Sequence, residues 1–246
     1  MSNKVALVTG GARRVGAAIS RRLHERGMDL MVHYRKSAAE AQALQDELNT
    51  LRPDSVALVQ ADLLNMAALP AMVAQTLERF GRLDVLINNA SSFFPTPVGK
   101  IGEREWEDLI GTNLKTPLFL SQAATQHLRR TQGCIVNIVD IHADRPMHNY
   151  AVYSIAKGGL LALTRSLASE LGPEVRVNGV SPGIIMWPED EQWADEVGRQ
   201  RLIQTTLLKR IGEPDDIATT VRFLVFEAPY VTGQIIAVDG GRSIHL

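Results

Sequence analysis

Three side chains in this sequence could move a proton together: Asp140, Tyr153 and Lys157. Tyr153 and Lys157 are four residues apart, so on a helix they would share one face. We expect the ammonium to lower the pKa of the phenol towards neutral pH, which would make Tyr153 a proton donor. Asp140 ends an apolar run, and an ionised carboxylate there would repel the alkoxide formed from a ketone. The acid therefore favours a nitrogen heterocycle as substrate, although Asp140 could instead only anchor Tyr153 through hydrogen bonds.

The rest of the chain alternates between apolar strand-like and amphipathic helix-like segments. Strands are predicted over residues 5–8, 30–34, 55–59, 85–87, 134–139, 175–180 and 235–238. Helices are predicted over residues 15–25, 37–51, 66–80, 103–130, 149–171 and 214–226. This order predicts an α/β fold, with one doubly wound, parallel, seven-stranded sheet that carries helices on both faces. We expect a single domain over residues 1–246. The irregular segment at about 184–208 would be a substrate lid or, alternatively, a surface excursion.

A glycine-rich turn follows the first predicted strand, in the run Thr9-Gly10-Gly11-Ala12-Arg13-Arg14-Val15-Gly16. Glycines at this place let the backbone approach a pyrophosphate, whose charge is favourable at a helix N-terminus. The usual Gly-x-Gly-x-x-Gly spacing is not matched, so the turn alone could be an ordinary strand-to-helix connection. Its position directly after the first strand favours dinucleotide binding.

The end of the second predicted strand indicates which dinucleotide would bind. NAD-binding proteins usually place an Asp or Glu there for the ribose hydroxyls. This sequence has His33-Tyr34-Arg35-Lys36-Ser37 instead. Arg35 or Lys36, together with Ser37 and Arg13, could hold a 2′-phosphate. NADPH is therefore predicted over NADH, the alternative being a solvated basic loop.

Further polar residues follow the expected path of the cofactor. Asp62 comes where the third strand ends and could accept a hydrogen bond from the adenine amino group. Asn88-Asn89-Ala90 ends the fourth strand. Asn113 lies inside a predicted helix, where Asn has poor propensity. If it faces the cleft it would suit a water relay; otherwise it is simply a polar residue of the helix.

Together these motifs resemble the short-chain dehydrogenase/reductase family, over nearly the whole chain. The resemblance implies a Rossmann-like domain, a nicotinamide cofactor and a homotetramer. It rests on the glycine-rich turn, Asp62, Asn88-Asn89-Ala90, Asn113, Tyr153-x-x-x-Lys157 and Pro182-Gly183.

Within that family the sequence is similar to the pteridine reductases. Those enzymes have an Arg like Arg14 in the cofactor turn, an Asp like Asp140 in place of the family Ser, and a basic segment like His33 to Ser37. They also continue Asn-Asn-Ala with Ser-Ser-Phe and Pro-Thr-Pro, as residues 91–93 and 95–97 do here. One departure is the segment 184–187, which offers no Thr or Ser to the nicotinamide amide.

This resemblance implies roles for several residues. Phe93 would stack on a pterin ring opposite the nicotinamide, although it could instead be a core anchor of its loop. Ser91 and Arg14 would hydrogen-bond the pterin or the cofactor phosphates, and Lys157 would also hold the nicotinamide ribose.

The predicted site has three parts, and no metal site is predicted. The catalytic residues are Asp140, Tyr153, Lys157 and Asn113. The cofactor would contact Gly10, Arg13, Arg14, Val15, Gly16, His33, Tyr34, Arg35, Lys36, Ser37, Asp62, Leu63, Asn89, Ala90, Ser91, Tyr153, Lys157, Pro182, Gly183 and Ile185. The substrate would contact Arg14, Ser91, Phe93, Asp140, Tyr153 and Trp187.

The predicted function is NADPH-dependent reduction of pterins, of the biopterin/dihydrobiopterin or folate/dihydrofolate type, to their tetrahydro forms. The alternatives are an NADPH-dependent carbonyl reductase of the same family, such as a 3-oxoacyl thioester reductase, and a non-catalytic NADP-binding sensor.

Composition indicates which partners and compartments to expect. A net charge of −1 favours neither nucleic acid nor an anionic membrane as partner. The sequence shows no signal-peptide pattern and no apolar window of ~18 residues, so no membrane span is expected. The single cysteine, Cys134, allows no intrachain disulfide and fits a reducing, cytoplasmic location. We expect Cys134 to be a buried apolar residue rather than a reactive thiol.

Overall fold

The computed structural model describes residues 3–187 and 195–244, which fold around one parallel sheet. Its strands are β1 (Val5–Val8), β2 (Asp29–Tyr34), β3 (Val56–Gln60), β4 (Val85–Asn88), β5 (Cys134–Ile138), β6 (Arg176–Pro182) and β7 (Ile235–Val238). They lie in the order β3-β2-β1-β4-β5-β6-β7. The order reverses between β1 and β4, and such a switch point leaves a crevice at the carboxyl edge of the sheet.

The helices cover both faces of this sheet. They are α1 (Arg14–Glu25), α2 (Ala38–Leu51), α3 (Ala68–Phe80), α4 (Glu103–Ile110), α5 (Thr116–Thr131), α6 (Ala151–Leu171), α7 (Glu196–Gln204) and α8 (Pro214–Phe226). Within the described residues, no helix combines the length and apolarity that crossing a membrane requires.

Successive residues of β1 show how the two layers form. Ala6 and Val8 belong to the core cluster that includes Leu23 of α1, whereas Leu7 points the other way, into the cluster that includes Leu120 of α5. Because both faces of each inner strand are buried, these strands are continuous apolar runs rather than alternating ones. The predicted Rossmann-like, doubly wound, seven-stranded parallel sheet with helices on both faces is confirmed.

The long helix predicted over residues 103–130 is interrupted in the structure. A π-helical turn, Gly111–Lys115, separates α4 from α5. Pro117, in the first turn of α5, has no backbone N–H and cannot donate to the carbonyl four residues earlier. Wider turns of this kind are common at functional sites, and this one carries Asn113.

The segment predicted as an irregular lid, 184–208, contains helix α7. Asp195 caps that helix, because its carboxylate accepts from the backbone N–H groups of Val197 and Gly198. The acidic and Trp-containing stretch at 188–194 lies outside the described residues.

Candidate active site

A cavity of about 680 Å³ opens at the carboxyl edge of the sheet. Every residue predicted to contact the cofactor lies in its lining, as do Phe93 and Asp140. Two of the predicted site residues, Asn113 and Trp187, are not part of that lining. Among the described residues, no group of three or more His, Cys, Asp or Glu side chains could hold a metal ion.

The glycine-rich turn brings backbone, rather than side chains, to the cavity. A Cβ atom at Gly16 would lie 2.1 Å from the carbonyl oxygen of Gly10, so only glycine fits this crossing. The Asn89 amide donates to the carbonyls of Thr9 (2.9 Å) and Gly10 (3.0 Å), which ties the end of β4 to the turn. Helix α1 follows directly, and no described side chain caps its first turn. Free N–H groups at a helix N-terminus suit a phosphate.

His33 supports this turn from the end of β2. Its buried ring accepts a hydrogen bond from the Gly10 backbone N–H at Nδ1 (3.0 Å) and donates from Nε2 to the Ala61 carbonyl (3.2 Å). That pattern requires the neutral ring with its hydrogen on Nε2. Burial lowers the pKa of His33, which favours the same form. His33 therefore shapes the turn rather than contributing positive charge.

The predicted basic patch lines the part of the cavity that follows β2 and β3. Arg35 forms an ion pair with Asp62, at 3.5 Å between Nε and Oδ2. Both side chains are about half exposed, so the pair is weak and a dianionic phosphate could compete with it. Arg13, Lys36 and Ser37 line the same part of the cavity.

Asp140 and Tyr153 form the centre of the candidate catalytic group. The Tyr153 hydroxyl donates to Asp140 Oδ2 at 2.8 Å. Asp140 Oδ1 accepts from the backbone N–H of His142 at 2.8 Å, which caps a short 3₁₀ turn, Ile141–Ala143. This backbone contact fixes the orientation of the carboxylate, so its second oxygen faces Tyr153.

Lys157 lies one turn of α6 after Tyr153, as its spacing predicts. Its ammonium donates to the Ile138 carbonyl at 2.9 Å and lies 5.7 Å from the centroid of the Tyr153 ring. Burial lowers the pKa of Lys157 to about 8, opposed by the charge of Asp140. At neutral pH the side chain is therefore still mostly a cation.

The prediction that Lys157 lowers the pKa of Tyr153 is wrong. Burial, followed by the charge and hydrogen bond of Asp140, raises the pKa of Tyr153 well above its usual value. The reason is that the charge nearest the phenol is a carboxylate, whereas the ammonium is turned towards a backbone carbonyl. A raised pKa keeps the phenol protonated at neutral pH, which is the form that can donate a proton.

Phe93 joins the core to the cavity. Its ring stacks on Tyr150, at 4.6 Å between centroids and an interplanar angle of 16°. The same ring meets Tyr153 edge-on at 4.9 Å. Phe93 thus anchors its loop, the alternative considered from the sequence, and also lines the cavity. Stacking on a bound ring stays a prediction.

Asn113 is placed differently from the prediction that it faces the cleft. Its side chain is buried, and its amide nitrogen donates to the carbonyls of Ser92 and Leu109, both at 2.9 Å. Its oxygen accepts from Ser91 Oγ at 2.6 Å. The π-helical turn directs the amide behind the loop that carries Ser91, so Asn113 reaches the cavity only through Ser91.

Trp187, predicted to contact the substrate, does not line the cavity, and that contact stays a prediction. Its backbone carbonyl accepts from the Arg14 guanidinium at 3.1 Å, and its ring lies below the guanidinium of Arg199, at 5.3 Å. The neighbouring Met186 lines the cavity instead. The contact between Arg14 and Trp187 connects the glycine-rich turn with the start of the segment predicted as a lid.

Several lining residues were not predicted from the sequence. Ala12 and Ser92 lie within the motifs described from the sequence, and Thr112 directly precedes Asn113. Their position next to predicted site residues is the signal that could have identified them. The remaining ones lie at the end of β5 and in the lid, where no residue type distinguishes them. The full set is Ala12, Ser92, Thr112, Ile138, Val139 and Met186.

Comparison with known proteins identifies the family. The model of the family described as enoyl-(acyl carrier protein) reductase matches residues 10–243. Pteridine reductase 1 of Leishmania tarentolae is 38% identical over 280 residues, which cover 98% of this chain and 96% of that protein. The 3-oxoacyl-[acyl-carrier-protein] reductase FabG of Staphylococcus aureus is 38% identical over 241 residues, which cover 97% of each. An uncharacterized oxidoreductase of Methylorubrum extorquens is 37% identical over 246 residues, which cover 98% of each.

The chain belongs to the short-chain dehydrogenase/reductase family and is an oxidoreductase of that family. Members of this family use nicotinamide cofactors, either NAD or NADP. The equal identities to a pteridine reductase and to a 3-oxoacyl reductase do not separate these two activities.

Proposed function

We propose that the protein is an NADPH-dependent reductase of pterins, of the biopterin/dihydrobiopterin or folate/dihydrofolate type. The observation that carries this proposal is the 2.8 Å hydrogen bond between the Tyr153 hydroxyl and the carboxylate of Asp140 at the cavity wall. An ionised carboxylate accepts hydrogen bonds and donates none. It repels the growing negative charge of an alkoxide, whereas it attracts the N–H groups of a nitrogen heterocycle.

The residues around the cavity fit a dinucleotide. The close crossing at Gly16, the uncapped start of α1 and a volume of about 680 Å³ are all suited to a bound pyrophosphate. Arg13, Lys36 and Ser37 line the cavity and have the side chains that bind a 2′-phosphate, which supports NADPH over NADH. The ion pair between Arg35 and Asp62 leaves Arg35 available in part.

In the proposed mechanism, bound NADPH supplies a hydride to a C=N carbon of the substrate ring. Tyr153 donates the proton to the ring nitrogen, since its raised pKa keeps it protonated until the substrate needs that proton. Asp140 orients the phenol through its hydrogen bond and, for the fully oxidised ring, relays a proton. Phe93 packs against the flat ring, and the cation of Lys157 offsets the negative charge of Asp140.

A second candidate is an NADPH-dependent carbonyl reductase such as a 3-oxoacyl thioester reductase. It is favoured by the 38% identity to the staphylococcal enzyme and by the description of the matching family. It would use the same Tyr153 and Lys157. A non-catalytic sensor is disfavoured, because a sensor needs no buried phenol held beside an acid.

The test is a side-by-side assay of NADPH oxidation with dihydrobiopterin, dihydrofolate and a 3-oxoacyl thioester. We expect turnover of a pterin, and loss of that turnover in Asp140→Ser with NADPH binding retained. Asp144→Ser, which removes an exposed carboxylate outside the cavity lining, is the matched control. Turnover of the thioester alone, or an unchanged pterin rate in Asp140→Ser, would refute the proposal. The expected homotetramer and cytoplasmic location rest on the family resemblance and stay predictions.

A further inference from the structure

Gly10 is the residue at which the glycine-rich turn crosses itself. Its φ of 59° lies in the left-handed region, and a Cβ atom at Gly16 would come within 2.1 Å of its carbonyl oxygen. The side chain of Asn89 donates to the same carbonyl at 3.0 Å. The position of Gly10 therefore decides whether the start of α1 keeps the close crossing that a pyrophosphate needs.

His33 holds the backbone N–H groups of the first two glycines. Its ring accepts from the Gly10 N–H at Nδ1, and its backbone carbonyl accepts from the Gly11 N–H, both at 3.0 Å. The carbonyl contact uses only the main chain, so it does not depend on the type of residue at position 33. The ring contact needs an acceptor in the side chain, so a change of residue or of charge removes it.

The ring can hold Gly10 only while it is neutral. Nε2 lies 3.2 Å from the Ala61 carbonyl, which accepts hydrogen bonds and donates none, so the ring hydrogen belongs on Nε2. Protonation would add an N–H at Nδ1, facing the N–H of Gly10. His33 is only 2% exposed, so bulk solvent does not relieve this conflict between two donors.

The charged residues that line this part of the cavity follow the ends of three neighbouring strands. They are Arg13 and Arg14 after β1, Arg35 and Lys36 after β2, and Asp62 after β3. Burial lowers the pKa of His33, opposed by the hydrogen bond to Ala61 and the charge of Asp62. The ion pair with Arg35, at 3.5 Å, partly compensates the charge of Asp62. The neutral ring is therefore the form that this surrounding favours at neutral pH.

We propose that His33 is a positioning residue for the dinucleotide: its neutral ring holds the Gly10 N–H, which keeps the turn in the shape that a pyrophosphate requires, and protonation of the ring weakens binding. The proposal rests on the dinucleotide site proposed above and not on the substrate that is reduced. It fixes the sign of the pH dependence. A cationic histidine that contacted a phosphate would strengthen binding in acid, whereas here acid removes the acceptor that the turn needs.

The first test compares two substitutions at about pH 7.5, with NADP affinity measured by calorimetry. His33→Asn keeps a side-chain oxygen near the place of Nδ1 and cannot titrate, whereas His33→Leu fills the volume without an acceptor. Both variants lose the bond to Ala61, so the difference between them reports the contact with Gly10. We expect His33→Asn to bind much as the original does and His33→Leu to bind about 10-fold more weakly, as for one buried donor without a partner.

The second test follows NADP affinity from about pH 8 to about pH 5 in the original protein and in His33→Asn. The 2′-phosphate of NADP also titrates in this range, but it does so for both proteins, so the ratio of their affinities isolates His33. The ratio should fall by up to about tenfold per pH unit below the pKa of His33 in the unbound protein. His127→Asn, on α5 and outside the cavity lining, is the control and should follow the original.

NMR of the histidine rings measures the titration of His33 itself. The chain has six histidines, and His33→Asn assigns the signal. The midpoint in the unbound protein should coincide with the pH at which the affinity ratio begins to fall. It should move to lower pH when NADP is bound, because the bound state requires the neutral ring.

Three results would overturn the proposal: parallel pH profiles for the original and His33→Asn, a ratio that rises in acid, or original affinity in a folded His33→Leu. If His33→Leu does not fold, the pH comparison alone decides. The same measurements with NAD separate this role of His33 from the preference for NADP. A protein that binds neither dinucleotide would refute the proposed function and this role of His33 together.

Discussion

Lys157 should make the folded protein less stable at neutral pH, because its ammonium group is buried. Burial lowers its pKa from 10.5 to about 8, a difference of about 2.5 units. At 1.36 kcal/mol per unit, holding this ammonium in the folded state costs roughly 3 kcal/mol. Between these two pKa values the unfolded chain binds more protons than the folded chain, so stability rises with pH. The cost is complete below about pH 8 and disappears above about pH 10.5.

The measurement is urea unfolding of the original protein and of Lys157→Met, at pH 7 and at pH 9.5. The free energy of unfolding should favour the variant at pH 7, and this advantage should shrink by about 2 kcal/mol at pH 9.5. Losing the hydrogen bond to Ile138 subtracts a constant of about 1 kcal/mol, so the change with pH is the decisive quantity. Lys100→Met removes an exposed ammonium and serves as control. A difference that stays constant between the two pH values would refute the reasoning.

Two other residues give sharp expectations. Gly16→Ala places a Cβ atom 2.1 Å from the Gly10 carbonyl oxygen, so the turn must shift. NADPH affinity measured by calorimetry should therefore fall at least about 10-fold. Unchanged affinity would contradict the proposed phosphate site. Cys134 is buried, and burial raises its pKa to about 11. Ellman's reagent should therefore label the native protein slowly and the urea-unfolded protein rapidly. Fast labelling under native conditions would contradict the burial of Cys134.

The order of strands and helices could be predicted because the inner strands are buried on both faces and are therefore continuous apolar runs. The residues at which the strands end were harder to predict. β6 was predicted to end at residue 180, yet it continues to Pro182, because Pro182 pairs with Val238 of β7. That partner lies far along the chain, so no local pattern could indicate it.

The break between α4 and α5 had a local signal that was not used. Pro117 cannot complete the α-helical hydrogen bond to the Asn113 carbonyl, so a continuous helix was excluded by residue type alone. What the sequence could not show was the direction in which the π-helical turn would point the Asn113 side chain. That direction depends on Ser91 and Ser92, which reach the turn from the end of β4.

The proximity of Asp140, Tyr153 and Lys157 could be predicted from their types and spacing, whereas their electrostatics could not. The spacing of Tyr153 and Lys157 gives one helical face, but it does not say which way the ammonium points. The ammonium turns to the carbonyl of Ile138, while the carboxylate of Asp140 comes within 2.8 Å of the phenol. The prediction for the phenol failed because burial raises its pKa, and because the charge that acts on it most comes from Asp140, after the end of β5, rather than from Lys157 on the same helix.

The raised pKa of Tyr153 bears on the direction of the reaction. Oxidation of an alcohol or amine needs the phenolate as a base, whereas reduction needs the phenol as an acid. Burial and Asp140 both raise the pKa of Tyr153, so the phenol predominates at neutral pH, which is the form that the proposed reduction requires. Because Asp140 raises this pKa most strongly while it is ionised, the same carboxylate that disfavours an alkoxide also keeps the proton on Tyr153. If the protein reduces pterins as proposed, selection against ketones and readiness to donate a proton would both follow from Asp140.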